Sequence, residues 1–262
     1  MLEIIILLLA GLGAGIVTGL VGASAVIIAS PLLVVFLKYP PYLAVGIALS
    51  IDVFSSLIAT FIYKKNHKLN IKPSLILLFF ALIAVILGSY ISLELPSVLL
   101  GVVTGISIAS IGLVIFKRDK NEKSSLIKKI DFLKKHKILS LGLIGFIIGI
   151  IAGIFGAGGG LTILSALVLI LNYNTHEAVG TSVFLMIFIA LFGGITHYIN
   201  LPFSITILAI GSIGGIFGAM ASSGLATKLP EKILNKLVGV IIFILGIILI
   251  LKNIFEFYNI NL

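Results

Sequence analysis

Long apolar runs separated by short polar or glycine-rich breaks make up the chain. They cover Leu2–Val21, Ala25–Leu37, Leu43–Tyr63, Pro73–Leu93, Ser97–Phe116, Ile138–Phe155, Leu161–Leu171, Ala178–Ile199, Phe203–Leu225 and Ile233–Leu251. A helix that crosses a bilayer needs about 20 residues, so six of these runs are long enough and two more are near the limit. The remaining two, Ala25–Leu37 and Leu161–Leu171, are too short to cross unaided. Each follows a break, Gly22-Ala23-Ser24 in one case and Gly156-Ala157-Gly158-Gly159-Gly160 in the other. The pattern predicts an all-α polytopic membrane protein with broken helices at two matching places.

Those places match because the chain repeats itself. Gly11 to Gly112 lies over Gly145 to Gly246 at a constant offset of 134 residues, without a gap. Gly15/Gly149, Gly19/Gly153, Gly22/Gly156, Tyr39/Tyr173, Ala44-Val45-Gly46/Ala178-Val179-Gly180, Pro96/Pro230 and Gly105/Gly239 all stay in step. Two homologous repeats in a membrane protein predict a site between them, around which one half rocks against the other. The expected units are repeat 1 (1–116), a basic cytoplasmic linker (117–137), repeat 2 (138–252) and a short tail (253–262).

Composition sharpens this reading. Hydrophobic residues make up 60% of the chain and charged residues only 10%, more apolar surface than 262 residues can hide from water. The formal charge of +9 suggests nucleic acid at first sight. Its distribution argues otherwise: nine of the 18 Lys and Arg fall in 117–137 and four more in 64–72, as positive-inside loops would require. No nucleic-acid partner is expected. The apolar start, Met1 to Leu9, reads as a retained helix of a multi-pass protein of the cytoplasmic membrane rather than a signal peptide.

Charge also bears on topology. With both basic segments cytoplasmic and two crossings between them, Glu94 lies outside. If each broken segment crosses once, about eight transmembrane helices form parallel repeats, and Lys228, Lys232 and Lys236 face outward. If each is a hairpin, six full spans plus two broken-helix hairpins form inverted repeats, and that cluster lies inside. Charge placement favours the inverted arrangement.

Three successive glycines in an apolar segment cost about 1 kcal/mol each relative to alanine in a helix. Amides bared at Gly158, Gly159 and Gly160, at the positive end of the following helix, offset that cost by making an anion site with no buried Lys or Arg. Close helix packing is the plainer account of Gly11/Gly15/Gly19, Gly145/Gly149/Gly153 and Gly211/Gly215.

The glycine-rich break Gly153 to Thr162, followed by Glu177-Ala-Val-Gly-Thr-Ser182 opening the next span, all of it duplicated, resembles the TauE/SafE sulfite exporter family. The resemblance covers essentially the whole chain and is carried best by the second half. It implies secondary transport of small sulfur-containing anions, sulfite or organosulfonates, with Thr181 and Ser182 as ligands in the first turn of their span, where helix capping or a back-bond to the preceding turn is the plainer account. The first half departs from the pattern: Gly22-Ala23-Ser24-Ala25-Val26 replaces the glycine run, and Ile47-Ala48 replaces Thr-Ser. Gly22 and Ser24 complete a lopsided site.

Asp52 is the acidic residue well inside a span, and an ionisable group at that depth is costly unless it has a use. It is a candidate for binding a coupling proton or sodium ion, with a protonated or water-exposed cavity carboxyl that couples nothing as the equal alternative. His197, near the end of its span, is a second candidate, with an interfacial His/Tyr belt as the plainer account. The chain has no cysteine, its four His are scattered, and no ATPase motif occurs. No catalytic residue, metal site or cofactor is expected. The alternatives left open are a transporter for another oxyanion or a carboxylate, an anion channel, and a non-transporting scaffold.

Overall fold

The computed structural model describes residues 2–91, 106, 109–110, 113, 116–117, 137–155, 159–198 and 204–260. Among these the regular structure is entirely helical: α1 (Leu2–Val21), α2 (Val26–Leu37), α3 (Pro41–Lys65), a 3-10 turn at Lys72–Ser74, α4 (Leu75–Ile91), α5 (Lys137–Phe155), α6 (Gly159–Leu169), α7 (Thr175–Tyr198), α8 (Ile205–Ala226) and α9 (Glu231–Ile260). Residues 118–136 of the expected linker, Gly156 to Gly158, and the turn at Asn200-Leu201-Pro202 lie outside the described residues. α9 continues through 253–260, the stretch set aside above as a tail.

Four of the described segments are long and apolar enough to cross a membrane: Leu2–Val21, Leu43–Lys65, Thr175–Thr196 and Ile205–Ala226. Val26–Leu37, Leu75–Gly88, Ile138–Gly153 and Gly159–Val168 are apolar but shorter. The short lengths of α2 and α6 follow from the breaks before them and the turns after them. Lys38 ends α2 in the left-handed conformation, its N–H bonded to the Leu33 carbonyl. Asn174 starts α7: its side-chain oxygen accepts from the Glu177 N–H at 2.9 Å, three residues on, as an N-cap does. The start therefore falls at Thr175 rather than Ala178, which puts Thr181 and Ser182 in the second turn and not the first.

Helix directions follow from the close contacts. Gly11 faces Gly211, Gly15 faces Gly215, and Gly19 faces Ser222, so α1 and α8 run parallel with their backbones in near contact. Leu77 faces Gly145 and Ala81 faces Gly149, which makes α4 and α5 a second parallel pair. Small residues permit such approach, and dispersion and packing hold it where water cannot drive association. Between the two pairs, α3 and α7 run antiparallel: Gly180 packs beside Tyr63, while Gly194 packs beside Leu49. Gly239 and Gly246 of α9 meet Phe116 and Ala109 respectively.

Large apolar side chains point outward at Ile205 (76% exposed), Phe61 (68%) and Phe79 (63%), while the described interior sets small residues, hydroxyls and the Asp52 carboxylate among buried Leu, Ile and Val. A surface this greasy around a polar-dotted interior suits hydrocarbon and not water. The chain is a multi-pass helical membrane protein.

Candidate functional site

The two breaks meet. Gly22 has φ +69°, the left-handed region that a side chain strains to adopt, and it turns the chain from α1 into α2. A Cβ on Gly160 would lie 2.6 Å from the Ser24 nitrogen and 2.8 Å from the Gly22 carbonyl oxygen, so the start of α6 is seated on the backbone of the first break. The Ser182 hydroxyl of α7 donates to the same Gly22 carbonyl at 3.1 Å, and also lies 3.0 Å from the Val179 carbonyl. Gly22, Ser24, Gly159, Gly160 and Ser182 thus gather in one place.

Thr181 is turned elsewhere. Its hydroxyl oxygen accepts from the Asn70 N–H at 3.1 Å and lies 3.3 Å from the Asn70 carbonyl, which also accepts from Tyr173 Oη at 3.0 Å. It docks the loop between α3 and α4 onto α7. Gly158 lies outside the described residues, as does the side chain of His197.

Each broken helix starts against a different surface. The Ala25 N–H at the head of α2 donates to Asp52 of α3, and the next amide, Val26 N–H, lies 3.3 Å from Ser24 Oγ. The positive end of α2 therefore carries a carboxylate supplied by the chain. The position 134 residues on from Asp52 is Met186, whose Sδ would stand 3.6 Å from a Cβ at Gly159, beside Ala152. At the head of α6 the corresponding side chain is a thioether.

Asp52 is 0% exposed and surrounded by hydroxyls. Ser24 Oγ donates to Oδ2 at 2.6 Å; Thr18 Oγ1 and Ser56 Oγ lie 3.3 Å and 3.5 Å from Oδ1. Thr18 and Ser56 were not singled out from the sequence. The available signal was the 134-residue register: Thr18, Ser24, Asp52 and Ser56 face Ala152, Gly158, Met186 and Ala190, so four polar positions become non-polar together. Tyr63 was missed likewise. Its Oη, buried at the far end of α3, donates to the Gly19 carbonyl at 3.0 Å, just ahead of the break.

Comparison with known proteins finds relatives named as membrane transporters. "Probable membrane transporter protein YunE" of Bacillus subtilis is 24% identical over 285 residues, covering 97% of this chain and all of that protein. "Probable membrane transporter protein YdhB" of the same organism is 24% identical over 237 residues, covering 90% of this chain and 96% of its own length. A "Probable membrane transporter protein" of Xylella fastidiosa strain Temecula1 is 26% identical over 254 residues, covering 91% of this chain and 92% of its own. No solved structure matches. The sequence profile described as "Sulfite exporter TauE/SafE" matches residues 7–249, nearly the whole membrane region, and the chain belongs to that family.

Proposed function

We propose that this chain is a secondary transporter that moves a small oxyanion, sulfite or an organosulfonate, across the cytoplasmic membrane by alternating access. The observation that carries the reading is the seating of Gly160 on the Gly22–Ser24 backbone, which joins two broken helices from opposite halves of the chain. Broken helices meeting between repeats are where transporters of several folds place their substrate.

The directions of the helices support inverted repeats. α3 and α7 stand 134 residues apart in register and run antiparallel, while α1 pairs with α8 and α4 with α5 in the same exchange. Six full spans with two broken-helix hairpins fit these directions better than eight parallel crossings. In this arrangement rocking of one half exposes the junction first to one side and then to the other.

The anion is held by the first-turn amides of α6, at Gly159 and Gly160, with Ser182 beside them. Helix first-turn amides have no partner within their own helix and favour a negative charge. The contrast with α2 supports this assignment. There Asp52 already meets the Ala25 amide, whereas Met186 leaves the matching place on α6 to an anion from outside. A permeating sulfite or sulfonate group offers three acceptor oxygens to such donors. Thr181 acts at one remove, by docking the 66–74 loop on α7.

The test is a thermal-shift screen of detergent-purified protein against sulfite, sulfate, thiosulfate, taurine, sulfoacetate and lactate, with Met186→Asp and Met186→Leu alongside. The expected result is saturable stabilisation by a sulfur oxyanion, kept in Met186→Leu and abolished in Met186→Asp, whose own carboxylate occupies the site. Stabilisation by lactate alone reassigns the substrate to carboxylates. A sulfur-oxyanion shift that survives in a folded Met186→Asp protein overturns the site.

A further inference from the structure

The group that the anion reading leaves unused is Asp52. We propose that Asp52, with Thr18, Ser24 and Ser56, forms a binding site for one sodium ion at the junction of α1, α2 and α3.

Charge comes first. Asp52 is fully buried, and the charged groups of the helices around it stand near helix ends: Glu3 in α1, Lys64 and Lys65 in α3, His176 and Glu177 in α7. Burying a carboxylate without a counter-charge is among the costliest things an interior can hold. The Ala25 amide and the Ser24 hydroxyl both donate to it. A cation bound beside this carboxylate would supply the counter-charge its surroundings lack.

Geometry selects the kind of cation. Hydroxyl-to-carboxylate hydrogen bonds are normally about 2.5–3.0 Å long, and the Ser24 contact at 2.6 Å is one of them. The Thr18 and Ser56 contacts at 3.3 Å and 3.5 Å are too long for that. They have instead the spacing of oxygens that share one hard ion. Two ligands at about 2.4 Å from a cation and at right angles stand about 3.4 Å apart, and Na⁺ is close to Ca²⁺ in size. The oxygens available are Oδ1 and Oδ2 of Asp52, Thr18 Oγ1, Ser24 Oγ and Ser56 Oγ. One carboxylate among neutral hydroxyls matches a monovalent charge, since divalent sites recruit several carboxylates. The place is apt too: α1 ends at Val21 and leaves its last carbonyls at the same break, and helix C-terminal ends favour cations.

The cluster is an addition to the architecture rather than a part of it. The matching positions on α5 and α7 are Ala152, Met186 and Ala190 where α1 and α3 have Thr18, Asp52 and Ser56, and α5, α6 and α7 still pack. A polar cluster required only to hold helices together would be needed in both places. Sodium at the first break, beside the C-terminal end of α1, and an anion at the second would give the two breaks complementary loads.

The experiment measures ²²Na⁺ binding to purified protein by scintillation proximity, in gluconate salts so that no transported anion is present. The expected result is saturable binding displaced by Na⁺ but not by K⁺ or choline, abolished in Asp52→Asn. Thr18→Val and Ser56→Ala, which remove one ligand oxygen each, weaken it by about 10–100-fold. Size-exclusion profiles of each variant report folding, and the two milder variants keep the test valid if Asp52→Asn does not fold. No displaceable binding, or binding unchanged in both milder variants, overturns the proposal. So does a stabilisation that follows pH and ignores Na⁺, which assigns Asp52 a proton instead. Because the probe is sodium alone, failure here leaves the anion reading intact, and failure of the Met186 variants leaves this site intact.

Discussion

Gly160 and Ser24 pack backbone to backbone, so close that a single methyl group on Gly160 would sit 2.6 Å from the Ser24 nitrogen. Neither partner can yield, since both are main chain at the start of a helix. We expect Gly160→Ala to lower stability by about 1–3 kcal/mol, the usual cost of overpacking a close-packed interior. Gly224→Ala is the control. Nothing lies within 4 Å of its added Cβ, and alanine there should gain about 0.5–1 kcal/mol from helix propensity. Thermal unfolding in detergent should therefore move in opposite directions for two substitutions of identical chemistry.

Gly22 and Ser182 should be energetically coupled. An alanine at Gly22 must adopt φ +69° and place its Cβ against Ser182 Oγ. The left-handed conformation alone costs about 1–2 kcal/mol, and the steric conflict adds to it. Ser182→Ala removes both the obstacle and the 3.1 Å hydrogen bond, a loss of about 0.5–1.5 kcal/mol by itself. The double variant should thus be less destabilised than the sum of the singles by about 0.5 kcal/mol or more. Strict additivity in a thermal-denaturation cycle would mean that the two do not touch.

How much of this was legible in the sequence varies with the range of the interaction. The short α2 and α6 were readable because glycine runs and apolar length are local signals, and Gly22 did prove to be the turning point. Asp52 was readable as an anomaly of polarity. Its partners were not, because Thr18 and Ser56 are ordinary helix residues until the break at Gly22 folds α2 back and brings α1 and α3 together. The glycines at 11, 15, 211 and 215 were legible as packing faces, but nothing local says that α1 chooses α8. The start of α7 was misplaced by three residues although Asn174 and Glu177 hold capping spacing, because the apolar run was followed instead of the cap. Thr181 was placed in that same turn, and tertiary contact with Asn70 decided its direction.

Two tyrosines outside the helices should titrate late. Tyr39 Oη donates to Glu3 at 2.5 Å, and burial, reinforced by that hydrogen bond and by the carboxylate charge, pushes its hydroxyl up to about 12. Burial likewise pushes Tyr173 up to about 12, with Glu177 adding and Ser74 opposing. An unfolded tyrosine ionises near about 10. The folded state therefore favours the protonated phenol. Its contribution to stability is whole below pH 10 and is lost as pH rises from about 10 through 12. Absorbance titration at alkaline pH should show phenolates appearing well above the ordinary midpoint. Tyr39→Phe should remove one of the late-titrating groups and flatten the alkaline fall in melting temperature. An unchanged curve in Tyr39→Phe would show that the Glu3 contact does not hold the proton.

The bond from Tyr63 to Gly19 makes the last prediction, because it fixes the end of α1 where the break begins. Gly22 N–H is bonded to the Thr18 carbonyl at 2.8 Å, and the Gly19 carbonyl, in the final turn of α1, accepts from Tyr63 Oη at 3.0 Å. Carbonyls in a last turn lack a partner within their helix. Tyr63 is 0% exposed, so Tyr63→Phe keeps the ring in place while leaving that carbonyl buried and unpaired. The cost should be about 1–3 kcal/mol, far more than the loss of an exposed hydroxyl. The effect should also be local. With the end of α1 released, hydrogen exchange should rise at Val21 to Ala25 and much less in the first half of α8, where Gly211 and Gly215 meet Gly11 and Gly15 well before the break. Equal loss of protection along both helices would mean that Tyr63 holds the whole α1–α8 seam rather than the break.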